Sequence, residues 1–276
     1  MKSQTYFLGA NSAGGFYSCY DSFCAGKDDF LYVIKSGPGS GKSTFLRKLK
    51  AAAQKKGYET ETVLCSGDPD SLDGVYIPKL HLGVVDGTAP HVIEPSCPGA
   101  NSIYFDFSPY YDLQALQSQR ETLRSLFSAY KSLYAEAYTH LSCFIESAEK
   151  QKFPAQARKR FNTAICCKGI LRLDGLNGAK IVSAQALSEL LPSAAIVYLN
   201  PLFPSQAEGL ITQSGEAYRV ELSLPDCLEA TDLLAKAKAL HDELEQAYHP
   251  YIDFSGISTF TENWISSHLE LSFPEK

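Results

Sequence analysis

The stretch Val33 to Leu49, VIKSGPGSGKSTFLRKL, holds the residue types that chemistry on a phosphate chain requires. Gly37, Gly39 and Gly41 have no Cβ, so successive backbone N–H groups can curl around phosphate oxygens. Lys42 is spaced to reach the β- and γ-phosphates, and the Ser43 hydroxyl to ligate Mg²⁺. Pro38, Ser40 and Thr44 complete the phosphate-binding set, Gly37 to Thr44. The strict pattern asks for glycine six residues before the lysine, and that position is Ser36. A small residue there still suits the end of a strand. The run reads as a phosphate-binding (Walker A) loop. A dinucleotide loop of the Rossmann type fits worse, because Lys-Ser follows the last glycine and no acidic residue ends the next strand.

Such a loop must be held between a strand and a helix. Phe30 to Lys35 is an apolar run of strand character, and Phe45, Leu46, Leu49 and Ala53 repeat at helical spacing until Gly57. A carboxylate at the end of a neighbouring buried strand is needed for the metal. Leu80 to Asp86, LHLGVVD, offers Asp86 beside Ser43 as the metal-side pair, although Asp before Gly is also a common turn. Between them lies Cys65 to Val75, CSGDPDSLDGV, after the strand-like Tyr58 to Cys65. It puts Asp68, Asp70 and Asp73 in one loop at the carboxyl end of a strand, where α/β sheets place ligands. One of the three can act with Lys42 in catalysis, by orienting water or accepting a substrate proton; a solvated turn explains them equally well. Their spacing excludes a calcium loop, whose twelfth position would be Lys79. His91, in DGTAPH, can touch a γ-phosphate or simply pack.

The segments ANSAGGFYSCYD, SGPGSGKST, DPDSLDGVYIP and DGTAPHVIEP together resemble a group of bacterial P-loop ATPase-like, nucleotide-kinase-like proteins. The resemblance is strong over residues 5–110 and looser beyond. It implies an α/β fold of P-loop NTPase type, a mostly parallel sheet with flanking helices, and ATP as ligand. It also implies two halves in tandem, and it names no substrate.

The chain can be searched for that second half. Tyr6 to Phe16 is echoed by Arg160 to Ile170, with Ala10 on Ala164 and Gly15 on Gly169. SGPGSGKSTFL is echoed by Asp174 to Ala184, DGLNGAKIVSA, with Lys42 on Lys180, and Asp68-Pro69 falls on Asn200-Pro201. In that alignment Gly41 becomes Ala179 and Ser43 becomes Ile181, so the second copy is degenerate and cannot hold Mg-phosphate. The expected organisation is a nucleotide-binding domain over residues 1–152, ending in helix from Asp112 to Lys152, then a degenerate α/β repeat over 153–276. The basic run Arg158 to Phe161 reads as a helix end or linker at the boundary. The repeat should end in a helix from Pro225 to Tyr248 and a last one opened by the capping box Thr259-x-x-Glu262.

A formal charge of −6 argues against a nucleic-acid partner. No apolar run approaches the roughly 20 residues that a bilayer needs. Eight scattered cysteines without Cys-x-x-Cys, and no apolar leader, fit reduced thiols and a cytoplasmic location. No Asn/Thr-Lys-x-Asp guanine motif is present, so ATP is expected rather than GTP. Three functions remain open on these residues: an ATPase, a kinase for a small molecule or nucleotide, and an ATP-dependent switch engaging an unknown partner.

Overall fold

The computed structural model describes residues 3–12, 14–145, 158–161, 163–173, 180–181, 196–199, 210–213, 216–219 and 228–270. In chain order β1 (Gln4–Tyr6) is followed by a hairpin, β2 (Gly9–Ser12) and β3 (Gly15–Ser18), then β4 (Phe30–Ile34) and helix α1 (Lys42–Lys55). Next come β5 (Glu61–Leu64), β6 (Leu72–Ile77), β7 (Leu82–Asp86) and β8 (Ser102–Phe105). Six of these strands form one sheet, ordered β1-β5-β6-β7-β4-β8. Every neighbouring pair is parallel except those made by β6, which runs against both β5 and β7. The architecture is therefore α/β, with a mostly parallel sheet and flanking helices. The sequence reading left Leu72 to Val75 in a loop. The structure corrects this, because the apolar Leu72, Val75 and Ile77 are paired in the middle of the sheet.

Helix α1 starts where Gly41 adopts φ +90°, and it buries Phe45, Leu46, Leu49 and Ala53 against the sheet. It stops at Gly57, whose φ of +80° turns the chain. There Tyr58 N–H returns to the Ala53 carbonyl at 3.0 Å and Gly57 N–H to Gln54 at 2.9 Å, closing the last turn. The helix read from Asp112 onward is divided at Gln119 into α2 (Leu113–Ser118) and α3 (Arg120–Ile145). Asp112 caps α2 by accepting from Ala115 N–H at 3.0 Å.

The second sheet has β9 (Arg158–Phe161), β12 (Lys180–Ile181), β13 (Ile196–Leu199), β14 (Leu210–Gln213) and β15 (Glu216–Arg219), ordered β12-β15-β14-β13-β9. A hairpin, β10 (Thr163–Cys166) with β11 (Gly169–Arg172), follows β9 in the chain as β2–β3 follows β1. Taken from β9, the order β9-β13-β14-β15-β12 matches β1-β5-β6-β7-β4 place for place. The pairing senses match too: parallel, antiparallel, antiparallel, parallel in each. The basic run Arg158–Phe161 is thus a strand, not a linker. Lys180 also differs from expectation. It lies in a strand paired with β15, whereas Lys42 opens a helix, so the two lysines do not occupy corresponding places. Residues 174–179, Asn200 and Pro201 lie outside the described residues.

The last helices are α4 (Leu228–Tyr248) and α5 (Phe254–Glu270). The latter begins five residues before the expected capping box, and Thr259 sits inside it, its hydroxyl donating to the Ser255 carbonyl. Sequence division at residue 153 assigns both helices to the second unit, yet α5 completes the core of the first sheet. Ile257, Trp264, Ile265 and Leu269 share one buried cluster with Phe45, Leu49, Val75 and Val84. Helix α4 packs instead on α3 and β10 through Ala230, Leu233, Leu234, Ala137, Leu141 and Ile165. No helix among the described residues is long and apolar enough to cross a membrane.

Gly87 follows β7 where the backbone passes close to β4. A Cβ there would stand 2.2 Å from Val33 Cγ1 and 3.1 Å from the Ile93 carbonyl. Gly87→Ala is expected to lower unfolding free energy in urea by about 1–3 kcal/mol, the usual cost of overpacking.

Candidate functional site

Strand β4 delivers the loop Gly37–Gly41 to the carboxyl edge of the sheet, and α1 carries Lys42, Ser43 and Thr44 away from it. Gly39 (φ +65°) and Gly41 (φ +90°) occupy the left-handed region that their lack of Cβ permits. Ser36 has a role that glycine could not fill. Its hydroxyl accepts from Phe107 N–H at 2.8 Å and ties the loop to the segment after β8. Inside the loop Ser40 donates to the Gly37 carbonyl at 2.8 Å.

Lys42 Nζ donates to the carbonyls of Ser36 (3.0 Å) and Gly37 (2.8 Å) and stands 3.6 Å from the Asp86 carboxylate. Asp86 reaches it because β7 lies beside β4, with Ile34 and Asp86 in register. Its other oxygen accepts from Thr88 N–H at 2.9 Å and Thr88 Oγ1 at 2.7 Å, which fixes the carboxylate. Ser43 Oγ accepts from Leu72 N–H at 2.9 Å, placing the hydroxyl at the start of β6. The structure therefore gathers Lys42, Ser43 and Asp86 at one end of the sheet, under the positive N-terminus of α1.

The three candidate carboxylates separate. Asp68 lies 3.4 Å from Lys238 of α4, and Asp70 is paired with Lys168 of the β10–β11 turn. The Lys168 hydrogen bond holds the exposed Asp70 carboxyl below its usual range. Asp73 is different. It falls where the β5–β6 register slips, since Val63 pairs with Gly74 and Leu64 with Leu72, leaving Asp73 as the extra residue of a bulge. It is buried, 3.1 Å from His91 Nε2, and accepts from Tyr20 O–H at 2.9 Å. Burial pushes its carboxyl upward, but His91, Tyr20 and Cys65 outweigh that and hold it low. Burial likewise pulls His91 down, while Asp73 and then Asp86 bring it above its ordinary value. Among the described residues Nδ1 of His91 has no hydrogen-bond partner, and its ring lies 4.5 Å from that of Tyr20.

This pair has a definite dependence on pH. Raised basicity makes the His91 contribution complete below about pH 6.5 and lost as pH rises through its folded value. Raised acidity makes the Asp73 contribution complete above about pH 4 and lost as pH falls through its folded value. The melting temperature of the unaltered chain should therefore exceed that of Asp73→Asn most between those two values. The difference should narrow on both sides in a melting series across pH.

Several residues at this edge are not legible from local sequence because segments distant in the chain bring them. The Tyr111 hydroxyl oxygen accepts from Gly37 N–H at 3.0 Å, and a Cβ on Gly37 would lie 3.4 Å from the Tyr248 ring. A Cβ on Gly39 would lie 3.0 Å from Glu245 Cα and 3.2 Å from its carbonyl. Tyr134 O–H of α3 is 3.0 Å from where a Gly67 Cβ would stand. Only the polar positions 238, 241, 245 and 248 of α4, recurring at threes and fours, signal in the sequence that this helix faces a polar site. Gly39→Ala combines strained φ with a backbone clash. It is expected to lower the melting temperature measurably in a thermal melt. Comparison with protein-family models, with curated proteins and with solved structures found no match.

Proposed function

We propose that the chain binds ATP with Mg²⁺ on Gly37–Thr44 and hydrolyses it there. One observation carries this reading: Lys42 and Asp86 face each other at 3.6 Å across a glycine loop that links a parallel strand to a helix N-terminus. Ser43 and Asp86 are the residues that fit a Mg²⁺ ion, being a hydroxyl and a fixed carboxylate at adjacent strand ends. Among the three carboxylates Asp73 is the one to polarise water, since it is paired with a histidine that can share its proton, while Asp68 and Asp70 are paired with lysines. It also adjoins Leu72, whose N–H holds Ser43.

The second half is read as a copy of the first that has lost its loop. The shared strand order and the hairpin at the same place support this. Residues 182–195, between β12 and β13, correspond to 35–60 and contain neither glycine nor lysine. One nucleotide per chain is therefore expected. A second reading, an ATP-dependent switch with little turnover, is favoured by α4 lying on the loop at Glu245 and Tyr248.

Calorimetric titration with Mg–ATP and a phosphate-release assay decide between them. Binding at one site with steady release supports the ATPase. Binding without release over hours leaves the switch, and release only with an added metabolite identifies a kinase. No binding of ATP removes all three.

A further inference from the structure

Helix α4 lies along the phosphate loop with one face. Tyr248 meets Gly37, the backbone of Glu245 meets Gly39, and Lys238 stands 3.4 Å from Asp68. Residues spaced by three and four share a side of a helix, so His241 points to the same edge between Lys238 and Glu245. Its ring lies 5.7 Å from that of Tyr130 on α3, and its Nδ1 is 3.7 Å from the Glu245 carboxylate. That neighbour leaves Nε2 as the nitrogen available to a ligand. One third of the side chain is open to solvent, so a ligand can reach it. Burial first, then the charges of Lys42 and Lys238, make the imidazole less basic than usual against the pull of Glu245.

A terminal phosphate held by Lys42 would bring negative charge that offsets the two lysines and favours the protonated ring. That ring then keeps Nδ1–H toward Glu245 and donates Nε2–H to the phosphate. We propose that His241, from the second half, contacts the γ-phosphate of ATP and makes the site distinguish ATP from ADP. The proposal rests on the reading of Gly37–Thr44 as an ATP site. It gives the second half a task at the first half's nucleotide, with no ligand of its own required.

The test measures ATP and ADP affinities of the full chain with Mg²⁺, by displacement of a fluorescent ATP analogue. The unaltered chain should prefer ATP. His241→Ala should weaken ATP about tenfold and leave ADP unchanged, the loss of one charge-assisted hydrogen bond. His241→Arg should keep the preference, because a guanidinium also donates to phosphate oxygens. Equal losses for ATP and ADP would mean that the ring only seats α4, and would overturn the proposal. So would unchanged ATP affinity in His241→Ala, or a selective loss that arginine fails to restore. A chain that binds neither nucleotide would fail at the ATP site itself, a result distinct from binding without discrimination at position 241.

Discussion

Lys42→Ala is expected to reduce phosphate release from Mg–ATP by about two to three orders of magnitude, the usual cost of removing one preorganised donor from developing charge. The ammonium is already aimed: it sits between two loop carbonyls and a fixed carboxylate, with only 13% of its side chain exposed. Phosphate oxygens would replace those carbonyls without a search for geometry. Lys42→Arg should not rescue, because a planar fork cannot take the place of a compact cation held at 2.8 and 3.0 Å from those carbonyls. Folding should survive the change, since Asp86 keeps both hydrogen bonds from Thr88. Circular dichroism alongside the release assay separates the two effects. Residual release above a tenth of the original rate would show that the lysine does not face the transferred group.

Trp264→Ala is expected to cost about 3–5 kcal/mol in urea unfolding, the range for deleting a buried aromatic side chain. Its ring stacks on His268 at 3.8 Å and meets Tyr32, Phe45 and Phe105 at 5.0, 5.2 and 5.8 Å. Those partners belong to β4, α1 and β8, the three elements around the phosphate loop. Losing the tryptophan should therefore weaken ATP binding as well, although it is far from Lys42 in sequence. A loss below 1 kcal/mol would mean that α5 is not part of this core.

The shape of the loop was legible because it is local: glycines, lysine and serine lie within eight consecutive residues, between a strand and a helix that are also local. The ends of β4, β7 and α1 could be read for the same reason. Asp73 could not be sorted from Asp68 and Asp70, since what distinguishes it is a bulge and the burial of His91 and Tyr20 around it. The bulge exists only once β6 is paired with β5, and Tyr20 is 53 residues away in sequence. The α5 boundary failed for a related reason. Thr259-x-x-Glu262 looks like a start, but Ile257 is already buried in the first sheet's core, and tertiary packing extends the helix to Phe254. The weak echo of DGLNGAKIV misled through its lysine, which lies in a strand where Lys42 opens a helix, while the strand order common to the two sheets leaves almost no trace in side-chain identity.

The placement of α5 sets an order of events during synthesis. A chain is made from its first residue onward, so the phosphate loop exists long before Trp264 does. Until α5 arrives, the sheet face beneath Phe45 and Phe105 has no cover there, and Tyr248 and Glu245 have not yet reached Gly37 and Gly39. Domains generally finish folding as they emerge. This sheet must wait for α5 before that face of its core is closed, and for α4 before Gly37 and Gly39 meet Tyr248 and Glu245.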